Sequence, residues 1–533
     1  MITIRLTKSK ASEWHHEGGV YTTGYLFAPD GKLYRNVDLC AYFGDIKTES
    51  DFRQKLLSAN GTFSVIIQKD QSSLWMAVDR LKYFPLFYRR KNGDLLISDE
   101  ITDLYDSDEQ KKLDEESCLA FRGLGYTLGN KTLLKDVFLI QAGEYIIYDN
   151  DKIVRTFYHQ YFSKIKNICF DEAKEQLKNI LQNIGKRMSE FIDNRQVLLS
   201  LSGGLDSRLI SYLLKKEGMK NVLCFTYGKK EANPEWKRSH AVAEKLGFQW
   251  LFVDYTLIND LEYSKRKHFI DYYLYAAQYY TKFSVTQYFA ADYLTNEMKI
   301  PVDSVYLPGH GGDFFSGSHL RPYMQNYRTI STIAEDLQIS NFHSNSLVEL
   351  TRKEKNVIKK LIQKELTNIS PLFQNVENWD LKERQAKYIF TSNKLWEHRG
   401  IGSYMPLCDT ELMDFFVSLP FEYRINQKLY KAVLYELFAE FDINFSNDIR
   451  KSETDVIQQI KMLIKRMFPD LRKNQDVFLY DYFDFKRFSQ PILKELEEAD
   501  EKRKILSFNG IFSEWYLLQL KKLSTIASHR AEE

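Results

Sequence analysis

Val197-Leu198-Leu199-Ser200-Leu201-Ser202-Gly203-Gly204-Leu205-Asp206-Ser207 decides the fold: an apolar run with the look of a strand, two glycines, then the opening of a helix. The glycines let the backbone turn tightly and approach an anion, while the amides at the start of the helix point at it. Leu209, Ile210, Leu213 and Leu214 recur at helical spacing and Gly218 marks the helix end, so the loop sits between strand and helix. Ser202, Gly203, Gly204, Asp206 and Ser207 then have the chemistry of a pyrophosphate cradle, with Asp206 placed to hold Mg2+. That points to ATP chemistry that releases pyrophosphate. An ordinary glycine-rich turn is the competing reading, and the strand and helix context weighs against it. No Gly-Lys-Ser/Thr follows the glycines, so this is not a Walker-type loop.

A second loop of the same kind lies further along. In Leu307-Pro308-Gly309-His310-Gly311-Gly312-Asp313 three glycines flank a carboxylate, another place where backbone can approach a phosphate closely. Asp313 and Asp206, on separate loops, can pair around Mg2+ and a pyrophosphate leaving group.

The 533 residues give length for more than one core and read as two domains. From about residue 20 to 160 short alternating runs, such as Phe63–Ile67 and Leu74–Val78, are punctuated by turn signals, which predicts a sheet-rich first domain. Beyond about 172, strand-like runs alternate with amphipathic segments, for instance Val222–Phe225 before a helix around Trp236 to Leu246. This predicts a parallel sheet with helices on both faces. The boundary is expected between 165 and 166, with a helical extension from about 455 in which Trp515, Tyr516, Leu517 and Leu520 pack a closing helix.

The formal net charge is +2, so no strong field for nucleic acid or an anionic membrane is expected. Five scattered cysteines without a CxxC pair argue against a zinc site and against a disulfide framework. No apolar run approaches the ~18 residues of a membrane span, and the N-terminal segment has no signal-peptide core. A cytoplasmic protein is the expectation, and a homodimer is compatible with it.

Several landmarks resemble the asparagine synthetase family. Asn60-Gly61-Thr62-Phe63, Asp79-Arg80-Leu81-Lys82-Tyr83-Phe84-Pro85-Leu86-Phe87-Tyr88 and Ile97-Ser98-Asp99-Glu100 are similar to the first domain of that family, and Gly143 to Tyr158 to the segment leading out of it. The loop at Ser202 resembles the PP-loop of ATP pyrophosphatases. Gly309 to Asp313 is similar to the second phosphate and magnesium element, and Pro406-Leu407-Cys408-Asp409 to the Pro-Phe-Leu-Asp that follows. The resemblance implies an α/β protein: an N-terminal Ntn-hydrolase-like αββα sandwich plus a C-terminal PP-loop parallel sheet of the adenine nucleotide alpha hydrolase type. It implies ATP and Mg2+, with Gly309, Gly311 and Gly312 near the phosphates, Thr226 and Tyr227 lining the adenosine, and Asp206 and Asp313 as metal ligands.

The departures narrow the function. Glutamine-using members of the family have an N-terminal Cys nucleophile; this chain begins Met1-Ile2 and lacks the segments that hold glutamine, so loss of glutaminase activity is expected. Where asparagine synthetases have a catalytic Glu, His310 stands, as in lasso-peptide cyclases; beta-lactam synthetases have Tyr there. An imidazole with an unperturbed pKa of about 6.5 can take a proton from an attacking amine. Lys451, with Arg450 as its competitor, is placed to stabilise the oxyanion. Gly402-Ser403-Tyr404 replaces the family's Glu-x-Arg. The expected activity is an ATP-dependent amide-forming synthetase that adenylates a carboxylate of a small molecule, carbohydrate or peptide and passes the acyl group to an amine or ammonia. Three alternatives stand beside it: an ammonia-dependent asparagine synthetase, a tRNA-modifying PP-loop enzyme, and a non-catalytic ATP-binding scaffold.

Overall fold

The computed structural model of the chain describes residues 1–7, 11, 13–106, 109–345, 347–445, 477–478, 481–501 and 503–532. Its first part is a sandwich of two sheets. The smaller runs Ile2–Arg5, Asp94–Ser98, Phe87–Lys91, Val137–Leu139. The larger runs Lys152–Phe157, Glu144–Asp149, Ser73–Val78, Asn60–Gln68, Val20–Phe27, His15–Glu17, with Leu33–Arg35 also paired to Val20–Phe27.

Period-two alternation builds this core. Ile66, Met76, Val78 and Ile146 point inward to meet Leu86, Tyr88, Leu95 and Ile97 of the facing sheet. Their neighbours Phe63, Val65, Ile67 and Ala77 point outward, under the helices Val37–Gly44 and Glu49–Ser58, which bury Leu39, Phe43, Phe52 and Leu56 against them. Thr48 opens the second of these helices with a capping box to Asp51. The outer face of the smaller sheet is covered from later in the chain, with Phe87 on Tyr280 at 5.9 Å between ring centroids. This is the αββα arrangement expected from the sequence.

The second part is built on a parallel five-stranded sheet, ordered Gln249–Asp254, Val222–Gly228, Val197–Ser200, Val305–Leu307, Gly402–Ser403. Val197, Leu199, Val222, Cys224, Val305 and Leu307 face one helical layer, while Leu198, Leu223, Phe225 and Tyr306 face the other. Burial on both faces explains why these strands are apolar throughout. The chain enters at the central strand, builds outward on one side, then crosses back to add Val305–Leu307 on the other. A crevice opens where the order reverses, at the carboxyl ends of two adjacent strands, and both glycine loops leave the sheet there. Near the C-terminus Trp515 and Tyr516 pack against Tyr273 and Phe283, the closing-helix role expected of them.

The landmarks of the first part turn out to join it to the second. Asn60 donates through Nδ2 to Asp409 Oδ2 at 2.9 Å and accepts from Thr410 N at 3.0 Å, while Arg187 holds the same Asp409 carboxylate at 2.8 Å. Asp79 accepts from the amides of Phe63, Leu81 and Tyr83, and the adjacent Arg80 reaches Asp414 at 2.7 Å. A buried pair then fixes the second loop: Arg424 binds Glu377, and its guanidinium also donates to the Phe315 carbonyl at 3.2 Å. Breaking such a pair strands a buried charge, at a cost of about 3–5 kcal/mol. Arg424→Met is therefore expected to lower the melting temperature sharply in a thermal scan, and adding Glu377→Gln to recover part of the loss.

Candidate active site

The crevice is a cavity of about 530 Å3 lined by the two loops on one side and by Gln287, Tyr306, Arg384, Gln385, Ile389 and Gln427 on the others. Ser202, Gly204, Asp206, Ser207, Gly309, His310 and Asp313 all line it, so two segments a hundred residues apart in sequence meet there.

Each loop is shaped by its own hydrogen bonds. Ser207 Oγ accepts from Ser202 N at 3.3 Å, Ser202 Oγ accepts from Gly204 N at 3.2 Å, and Gly203 adopts φ +73°, a conformation that side chains resist. The Asp206 carboxylate then crosses to the other loop: its Oδ2 accepts from Asp313 N at 2.8 Å and its Oδ1 from Tyr430 Oη at 2.8 Å. A Cβ on Gly312 would lie 2.6 Å from Asp206 Oδ1, so the second loop admits this carboxylate because Gly312 has no side chain. Gly311, at φ +101°, is similarly closed in by Cys408 and Leu407.

Burial, and after it the charge of Asp313, push the Asp206 carboxyl well above the usual carboxylate range. An Asp206 carboxylate whose ionisation is opposed by burial and by the charge of Asp313 calls for a cation beside it. Among the described residues no cluster of three or more His, Cys, Asp or Glu side chains forms a metal site. Two carboxylates fit Mg2+, which is commonly held by one or two protein carboxylates while substrate phosphates and water fill the rest of its octahedron.

His310 projects between the loops. Burial lowers its pKa to about 4, against the opposing influence of Asp313 and a hydrogen bond with Asn393. The ring is neutral at physiological pH, and its Nδ1 is buried without a hydrogen-bond partner. Cys408, behind the loop, donates its thiol to the His310 carbonyl at 3.5 Å.

The strand-end residues are placed differently. Thr226 is buried and spends its hydroxyl on the Leu201 carbonyl at 2.8 Å and on Ser239 at 2.6 Å; the ring of Tyr227 stacks between Tyr255 and Phe483. Neither lines the cavity. Lys451 and Arg450 lie outside the described residues. Glu397 accepts from Lys394 Nζ at 2.6 Å and from Tyr275 Oη at 3.1 Å. Sequence reading missed Gln287, Arg384, Gln427 and Tyr430, which carry no motif. Gln287 is held by Tyr306 Oη at 3.1 Å and Trp396 Nε1 at 2.9 Å, both donating to its Oε1.

Residues 184–448 match the asparagine synthase family, and residues 50–162 match the glutamine amidotransferase domain. The chain is an asparagine synthetase-like protein, an ATP-dependent amide-forming ligase with an amidotransferase-type domain ahead of its synthetase domain. It is similar over most of its length to the Microcin J25-processing protein McjC of Escherichia coli: 24% identity over 398 residues, 70% of this chain and 70% of the relative. A shorter similarity, 38% over 60 residues, links it to the glutamine-hydrolysing GMP synthase of Haemophilus influenzae and covers 11% of this chain and 12% of that one. Members of the family use ATP and act on carboxylates with amine or ammonia donors. No helix among the described residues is long and apolar enough to cross a membrane.

Gly312→Ala is the sharpest probe of how the loops meet. Displacing the Asp206 carboxylate removes charge-assisted hydrogen bonds, and magnesium-dependent ATP binding measured by calorimetry is expected to weaken by roughly tenfold or more. The circular dichroism spectrum should stay that of the wild type.

Proposed function

We propose that the protein uses Mg-ATP to adenylate a peptide carboxylate and then joins the acyl group to an amine. The observation that carries this reading is the convergence of Asp206, Asp313 and His310 in one cavity at the reversal point of the sheet. The similarity to a microcin-processing protein favours a peptide as the acid. The replacement of Glu-x-Arg by Gly402-Ser403-Tyr404 weighs against free aspartate, because Gly402 and Ser403 form the outer strand and Tyr404 stacks on Phe191 at 4.7 Å.

In this reading the Ser202–Ser207 loop and Gly309, Gly311 and Gly312 present backbone to the β- and γ-phosphates. Asp206 and Asp313 would hold Mg2+, which when bound would supply countercharge to pyrophosphate. Neutral His310 takes the proton of the attacking amine, and Lys451 adds positive charge at the oxyanion.

The first domain, ending near residue 165, serves as a platform without glutaminase activity. Neither cysteine described within it is an activated thiol: burial pushes Cys40 up, and raises Cys118 to about 11. Glutamate release from glutamine by the purified protein would contradict this assignment.

The test of the main reading is a pyrophosphate-release screen over peptide and free amino-acid carboxylates, with ammonia and amines as acceptors. Release only with aspartate and ammonia would favour a plain asparagine synthetase. For His310→Ala, amide formation is expected to fall by roughly 100-fold, the usual scale of general-base catalysis, with pyrophosphate release far less affected. Because the imidazole is the base above about pH 4, the acid limb of amide formation should lie near pH 4 and not near 6.5. Equal loss of both half-reactions in His310→Ala would assign the ring to the loop's structure instead.

A further inference from the structure

The described lining of the cavity carries two acidic side chains, Asp206 and Asp313, and one permanently cationic one, Arg384. Arg384 reaches the cavity from the π-helical stretch Asp380–Ile389 that continues the helix Gln374–Trp379, within electrostatic range of Asp313. Its side chain is 28% exposed. Its recorded ion pair is with Asp380 Oδ1 at 3.7 Å, too long for a hydrogen bond, and no hydrogen bond of its guanidinium is found among the described residues. Other buried arginines of the chain spend their forks on protein: Arg424 on Glu377 and Phe315, Arg208 on the carbonyls of Gly203 and Ile443. Arg384 thus presents a planar set of donors to the cavity, suited to bidentate capture of an oxyanion.

The charges of a bound nucleotide decide which oxyanion. The loop amides and the two carboxylates, through Mg2+, take the pyrophosphate end, and neither loop contains a lysine or arginine. Among the described lining residues only Arg384 is left to supply a counter-charge to the α-phosphate. That phosphate is also the anion that persists throughout, in ATP, in the adenylate and in AMP, whereas the acid loses its charge on activation.

Building on the reading of this cavity as an adenylating site, we propose that Arg384 binds the α-phosphate of the nucleotide. The probes are AMP, inorganic pyrophosphate with Mg2+, and α,β-methylene ATP, titrated by calorimetry into the full chain. Arg384→Gln is expected to weaken AMP and the ATP analogue by roughly tenfold or more and to leave pyrophosphate unchanged. Arg384→Lys should recover little, because the fork is lost. Asp380→Asn separates this from a structural role: it removes the ion pair and should leave AMP affinity as in the wild type. Unchanged AMP affinity in Arg384→Gln, or an equal loss for pyrophosphate, overturns the inference and leaves the adenylating reading standing. A wild-type protein that binds no nucleotide overturns both.

Discussion

The reach of the Asp206 carboxylate from one glycine loop to the other, where it meets Asp313 N–H and Tyr430 Oη, is the contact on which the site depends. It turns two anion-approaching turns into a single cleft. Two features elsewhere make the contact attainable. The crossover that seats Val305–Leu307 beside Val197–Ser200 brings the loops to neighbouring strand ends, and the absence of a side chain at Gly312 leaves room for the carboxylate. Tyr430 adds a constraint from outside the sheet, since its helix, Lys428–Ala439, packs on the helix that follows the first loop.

The first domain is tied to the second by partly buried polar contacts. Its landmark Asn60 grips Asp409, a landmark of the second domain, and Asp79-Arg80 organises a turn and then reaches Asp414. Asp409 lies just after Leu407 and Cys408, which close in Gly311 from behind. The sandwich is therefore connected to the second glycine loop through a short run of packed residues.

Much of this was legible in the sequence for identifiable reasons. Glycines that must approach a phosphate or a carboxylate cannot be replaced by other residues, so both loops stand out, and alternating apolar runs mark strands buried on one face or both. The two loops could be paired because each carries an Asp at its helix start. What stayed hidden was the rest of the cavity lining. Gln287, Arg384 and Gln427 reach the cavity from helices and turns whose local spacing resembles any solvated helix face, so no local pattern marks Arg384 as a cavity residue. At the strand end, where a ligand-facing residue is expected, the Thr226 hydroxyl bonds Ser239 and the Tyr227 ring stacks on Tyr255 and Phe483.

Adenylation moves an oxygen atom from the acid to the nucleotide, and that transfer tests the central claim most directly. Turnover of ATP with a substrate whose carboxylate is labelled with oxygen-18, in the presence of its amine acceptor, should give AMP carrying one labelled oxygen, visible as an isotope shift in its phosphorus resonance, with unlabelled pyrophosphate. ADP and labelled inorganic phosphate would contradict the account, since they would mean attack at the far end of the triphosphate.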